Sequence, residues 1–179
     1  MSSMNAFFVR KVTDDAITAV YAKFPSAEIE TNSEYIRVLN ATLPKQDLLE
    51  LSLRLETDVM WLSYQSVVDA FEYYHWREGT LLRVLVYGSW IEERTWECIE
   101  GHAEAWERAF FFDPDDLVSL LEWDEDLDEE DRFSDEERQG LERFWQAGEL
   151  KVGGRYPILG AQRCAFHLAT YYRFPGWDK

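Results

Sequence analysis

The stretch from Val59 to Ile99 constrains the fold of this chain most. Val, Trp, Tyr, Phe and Thr accumulate there, side chains that suit a pleated, half-buried surface, and breakers interrupt it at Arg77-Glu78-Gly79-Thr80 and Gly88-Ser89. β-rich runs divided by short turns describe an antiparallel meander, with strands expected over about 59–64, 66–76, 80–88 and 90–99. A two-residue turn at Glu78-Gly79 would set Trp76 opposite Leu81, His75 opposite Leu82 and Tyr74 opposite Arg83. In that register Phe71, Tyr73, His75, Leu82, Val84 and Val86 share a core-facing side. Glu72, Tyr74, Trp76, Leu81, Arg83 and Leu85 then share an amphipathic one. A longer, bulged turn would move the register by one residue and exchange the facing partners.

Helix signals flank the meander. Ala6 to Lys11 reads as a first strand, followed by Thr13 as a helix cap with Asp14 and Asp15 in the first turn. Ile17, Val20, Tyr21 and Phe24 recur at helical spacing up to Pro25. The runs 27–30 and 34–40 form either a hairpin or one interrupted strand. Pro44 to Glu56 carries both an alternating set of leucines and a helical stripe (Leu48, Leu51, Leu55); the leading proline and the lack of β-branched residues favour helix. Past Gly101 the chain turns helical. Asp113-Pro114-Asp115-Asp116 is a helix start, Ser134-Asp135-Glu136-Glu137 matches a capping box, and Ala161, Cys164, Ala165, Leu168 and Tyr172 mark a last helix before Pro175-Gly176. The expected class is α+β: one domain over 1–179, an antiparallel meander sheet with helices packed on one face, a body to about 110 and a helical C-terminal part from about 111.

Charge is the second constraint. The formal net charge is −17, and residues 113–137 hold fourteen acidic residues against a single basic one, Arg132. That balance argues against nucleic-acid binding, which needs Lys and Arg to displace counterions, and against docking on anionic lipid. It suits a protein partner with a basic surface. No run approaches the roughly 20 apolar residues of a membrane-spanning helix. Met1 to Asn5 lacks the features of a secretory signal, so Cys98 and Cys164 read as free thiols and the expected location is cytoplasmic. Aromatic residues make up 16% of the chain, enough to fill a core or to support a homo-oligomer.

Three groups of residues bear on function. The first is an acidic docking segment: Asp124, Glu125, Asp126, Asp128, Glu129, Glu130 and Asp131. An EF-hand frame starting at Asp126 would use Asp128, Glu130, Ser134 and Glu137, but Asp131 stands where the sharp turn calls for Gly, so a solvated inter-helix loop is favoured. The second is the amphipathic sheet side, where Glu72, Tyr74, Trp76 and Arg83, joined by Arg94, could hold a peptide or small ligand; the competing reading is a helix over that face with charges paired at its rim. The third is a pocket between sheet and helices using His75, Asp69 and Arg94. The alternate acids and histidine of Glu100-Gly101-His102-Ala103-Glu104 are a weak metal pattern, and Cys164 with His167 reads as packing on an apolar helix face rather than as a nucleophile and its base. Neither a metal nor a cofactor is expected.

The strings Leu81-Leu82-Arg83, Tyr87-Gly88, Glu93-Arg94-Thr95-Trp96-Glu97 and Arg173-Phe174-Pro175-Gly176-Trp177 resemble those of an uncharacterised conserved bacterial family of cyanobacterial type. The resemblance covers the central meander and the C-terminal tip. It implies a bacterial cytoplasmic protein and brings no activity with it. The leading expectation is thus a non-enzymatic interaction or adaptor protein, and the alternative is a small-molecule binder or enzyme.

Overall fold

The computed structural model describes residues 3–39, 44–88, 94–157 and 160–177. Its centre is a seven-stranded antiparallel sheet built from β1 (Ser3–Val9), β2 (Glu28–Thr31), β3 (Ile36–Leu39), β4 (Asp58–Gln65), β5 (Ala70–Arg77), β6 (Thr80–Tyr87) and β7 (Trp96–Gly101), in the order β2-β3-β1-β4-β5-β6-β7. Strands β4 to β7 are the meander. The first part of the strand expected over 90–99, and Asn40 of the run 34–40, lie outside the described residues. The runs 27–30 and 34–40 pair as a hairpin, β2 with β3, whose turn is held by the Asn32 side chain accepting from the amides of Glu34 and Tyr35, each at 2.8 Å.

Six helices occupy the described residues: α1 (Asp14–Lys23), α2 (Lys45–Leu55), α3 (Ala105–Phe111), α4 (Pro114–Glu125), α5 (Asp135–Ala147) and α6 (Ala161–Tyr172). The sequence signals that mark them are in use. Thr13 Oγ1 accepts from the Ala16 amide, Asp113 caps α4 with Pro114 inside its first turn, and Ser134 and Glu137 form a complete capping box. Pro44 to Glu56 is helical, and Leu48, Leu51 and Leu55 are the buried stripe.

The class is α+β with a helical C-terminal part, but the helices cover both faces of the sheet rather than one. On one face Phe7, Val9, Val59, Trp61 and Trp76 pack against Ala16, Ala19 and Val20 of α1 and the three leucines of α2. On the other, Phe8, Met60, Leu62, Phe71, Tyr73 and Leu85 pack against Trp106 and Phe110 of α3, Leu141 and Trp145 of α5, and Cys164, Ala165 and Leu168 of α6. The physical reason lies in β4, which is buried on both sides from Asp58 through Leu62. A continuous run of buried residues, instead of an alternating one, is what a strand with helices above and below it requires. Strands β3 and β4 both pair with β1, so the connection through α2 must cross over β1 and lay that helix on the sheet.

The C-terminal tip returns to the first strands. Phe174 stacks on Phe8 with ring centroids 3.6 Å apart and planes 7° from parallel. Asn32 Nδ2 donates to the Arg173 carbonyl at 2.7 Å, and Arg37 Nη1 donates to the Pro175 carbonyl at 3.2 Å.

Candidate functional site

The β5–β6 hairpin sets the site through one irregularity. Arg77 faces Thr80 and Trp76 faces Leu81, as a two-residue Glu78-Gly79 turn demands, but the register then steps and His75 faces Arg83. Leu82 is the extra residue of a β-bulge. Every later residue of β6 therefore changes sides relative to the regular pairing: Leu85 and Tyr87 join Phe71, Tyr73 and His75, while Val84 and Val86 pair with Tyr74 and Glu72. Arg83 belongs to the His75 side, not to the amphipathic side where regular pairing had put it.

That relocation gives Arg83 a buried partner. Its Nε donates to Glu107 Oε1 at 2.7 Å, its Nη2 donates to Glu107 Oε2, and its Nη1 reaches the carbonyls of Gly101 at 2.9 Å and Glu100 at 3.2 Å. Both side chains are nearly inaccessible. Glu107 is also the third residue of a capping box whose cap is Glu104, so α3 is pinned over the sheet at its first turn.

Glu104 is the hub of the neighbouring network. Its Oε2 accepts from Tyr172 Oη at 2.7 Å, Trp106 Nε1 at 2.7 Å and Tyr73 Oη at 2.9 Å, and its Oε1 bonds His75 Nδ1. The opposite ring nitrogen, His75 Nε2, lies 2.9 Å from Asp58 Oδ1. Asp58 also accepts from Arg77 Nε at 2.6 Å and Arg10 Nη1 at 3.3 Å. Asp58 stands opposite Arg77, and Met60 opposite His75, so strand geometry alone puts this polar group on one face of β4 and β5.

The electrostatics follow from these contacts. Burial alone would lower the His75 pKa, but the hydrogen bonds to Asp58 and Glu104 outweigh it and leave it raised. Burial works against the Asp58 carboxylate, yet His75 and Arg77 hold it well below the usual range. Glu104 is lowered in the same way, with His75 overcoming burial. Burial first, then the Glu104 charge, pushes the Tyr172 phenol far up. Carboxylate oxygens at both ring nitrogens favour an imidazolium between two carboxylates. With both nitrogens committed, His75 has no lone pair to accept a proton, so the arrangement fixes charge and does not suit general-base chemistry. The network forms the wall of a cleft of about 430 Å³ whose mouth carries Arg10, Arg77, His102 and Tyr171.

The other residues singled out in the sequence fall elsewhere. Glu72, Tyr74 and Trp76 lie under α2, where Lys45 Nζ sits 3.9 Å from the Trp61 ring centroid, 4.8 Å from that of Tyr74 and 2.9 Å from Glu72 Oε2. Trp76 is buried in the core beneath α2 and stacks on Tyr74. That face is covered, with its charges paired at the rim. Asp69 and Arg94 pair with each other at 2.6 Å at the far end of β5, about 20 Å from His75 at the rise of a strand, too far for the three to share one small site.

The acidic segment divides too. Asp124 is fully buried: Oδ1 accepts from the Phe133 amide at 2.7 Å and Oδ2 pairs with Arg138, so it ties α4 to α5 and is unavailable to a partner. Arg138 also approaches Glu125 at 3.4 Å. Asp126, Asp128, Glu129, Glu130 and Asp131 are exposed, and Arg132 is turned back onto the carbonyls of Leu127 and Glu125. Glu137, the last ligand of the EF-hand frame, instead accepts from Ser134 N and Oγ at 2.8 Å each. Among the described residues, no group of three or more His, Cys, Asp or Glu is placed to hold a metal ion, and no helix is long and apolar enough to cross a membrane. Cys98 and Cys164 are free thiols; Cys164 is wholly buried, which pushes its pKa well up, and His167 stacks on Phe110.

Sequence reasoning passed over Asp58 and Glu107, met Arg77 only as part of a turn, and met Glu104 only as one ligand of a weak metal pattern. Two signals were legible: the Glu-x-x-Glu spacing of a capping box at Glu104, and a lone acid, Asp58, at the head of an apolar strand. Comparison with protein-family models, with curated proteins and with solved structures finds no match to this chain.

Proposed function

We propose that the protein is a non-enzymatic interaction protein that docks a basic protein partner on α4 and the α4–α5 loop. The observation that carries this reading is Trp123, 56% exposed on α4 between Glu122 and Asp124 and next to the loop carboxylates. Trp is the side chain most often found as an energetic anchor of an interface, and a ring of acids selects a basic partner and speeds its approach. Among the described residues, Glu122, Asp126, Asp128, Glu129, Glu130 and Asp131 form no ion pair, so their charge is free to act outward. A second copy of the chain is a poor occupant, because two such faces repel. His75, with both ring nitrogens held by carboxylates, has no free base, which counts against the enzymatic alternative built on it.

The test is affinity capture from a bacterial lysate with the wild type, Trp123→Ala, and a variant in which Asp126, Asp128 and Asp131 are changed to Lys. Basic proteins held by the wild type should be lost from both variants and released by moderate salt. An unchanged set of captured proteins in both variants, each shown to be folded by circular dichroism, would overturn the proposal.

A further inference from the structure

We infer that the cleft beside His75 is a binding site for a small organic anion, whose carboxylate or phosphate group is held between Arg10 and Arg77. Two arginines converge on one mouth in a chain of net charge −17, and a cluster of cations there runs against the general charge of the molecule. Each guanidinium spends one donor on Asp58, Arg10 through Nη1 and Arg77 through Nε. Among the described residues the remaining four N–H donors of each have no hydrogen-bond acceptor, and about half of each side chain is accessible. Arg10 and Arg77 balance Asp58 and Glu104, and the His75 ring, whose protonated form its two carboxylate neighbours favour, then adds positive charge at the cleft. Asp58 and the imidazolium behind it hold Arg77 in place before any ligand arrives, which lowers the ordering cost of binding. A planar guanidinium fork matches the oxygens of carboxylate and phosphate, and Tyr171 and Leu82 offer apolar surface for the organic part. The volume of about 430 Å³ suits a metabolite-sized molecule and excludes a folded partner. The site is independent of the docking face on α4.

Arginine Nε–Hε NMR signals of the wild-type protein, titrated separately with phenyl phosphate and benzoate, test this. Saturable shifts confined to Arg10 and Arg77 are expected, and the tighter probe identifies which oxyanion the site takes. Arg10→Gln and Arg77→Gln should each weaken binding about tenfold or more, the worth of one charge-assisted hydrogen bond, whereas Arg94→Gln and Trp123→Ala should leave it unchanged. If neither probe moves the Arg10 and Arg77 signals, or if folded Gln variants bind as the wild type does, the site is not an anion site. The titration of the wild type decides the matter even if a variant fails to fold.

Discussion

Arg83 stands directly opposite His75 across β5 and β6, and the bulge that brings it there also buries its guanidinium against Glu107. Two neighbouring positions on one sheet face thus hold two separate ionic centres, each closed by an acid from the first turn of α3 or the residue that caps it. Removing one partner of a buried pair leaves the other charge without solvent or counterion. Glu107→Gln should therefore cost about 3–5 kcal/mol in urea unfolding, and the double variant Arg83→Met, Glu107→Leu should cost less than that single change.

His75 gives stability a dependence on pH. Its folded pKa lies above the unfolded value of about 6.5, so its contribution is complete below that value and is lost as pH rises through the folded pKa. The groups facing it are Asp58, Glu104, Tyr73 and Tyr172, with Arg77 behind Asp58 and Arg83 across β6. Asp58 and Glu104 are lowered, so their contribution is present above their unfolded values and disappears as pH falls through their folded ones. His167 titrates in the opposite sense to His75, because burial lowers it. The difference in unfolding free energy between wild type and His75→Gln isolates the first effect. It should be largest below about pH 6.5 and shrink on the alkaline side.

Much of this fold could be read from residues with local consequences. Thr13, Asp113-Pro114 and Ser134 announce helix starts because a cap bonds to amides two or three residues away, and Gly79 announces a turn because its φ of +76° favours glycine. What local reading could not reach depends on distant partners. The extra residue at Leu82 has no signature of its own, since Leu fits either side of a strand, yet it moves Arg83 from one face to the other. Glu104 announces a helix cap locally, but its place as the hub of a network depends on His75 and Tyr172, which lie 29 and 68 residues away along the chain. The acidity of residues 113–137 was plain, but which carboxylate is internal was not: Asp124 differs from Asp126 only in facing Arg138 and the Phe133 amide.

Asp124 and Asp128 make a paired test of that distinction. Asp124→Asn should destabilise the protein by about 1–3 kcal/mol, since a buried hydrogen-bonded ion pair becomes a mismatched amide. Asp128→Asn, on the exposed loop, should stay within about 0.5 kcal/mol of the wild type. Thermal unfolding at one fixed pH and salt concentration compares them.

Two glycines should respond in opposite directions to alanine. At Gly101, with φ of +80°, an added Cβ would lie 1.8 Å from the Leu82 carbonyl oxygen, within the bulge itself. Backbone cannot give way as a flexible side chain can, so Gly101→Ala should lower the midpoint of urea unfolding steeply, by more than the ~1 kcal/mol that the dihedral alone would cost. Gly140 lies inside α5 with nothing within 4 Å of such a Cβ. There Gly140→Ala should stabilise by about 0.5–1 kcal/mol in the same assay.

The stacking of Phe174 on Phe8 has a consequence for biosynthesis. During synthesis β1 emerges well before its cover: the aromatic lid for that strand is translated some hundred and sixty residues later. Until then Phe8 and its neighbours are sticky surface on a tethered intermediate, the kind of surface that chaperones shield. A chain cut short before Phe174 would keep most of its elements and an open seam, better suited to degradation than to work.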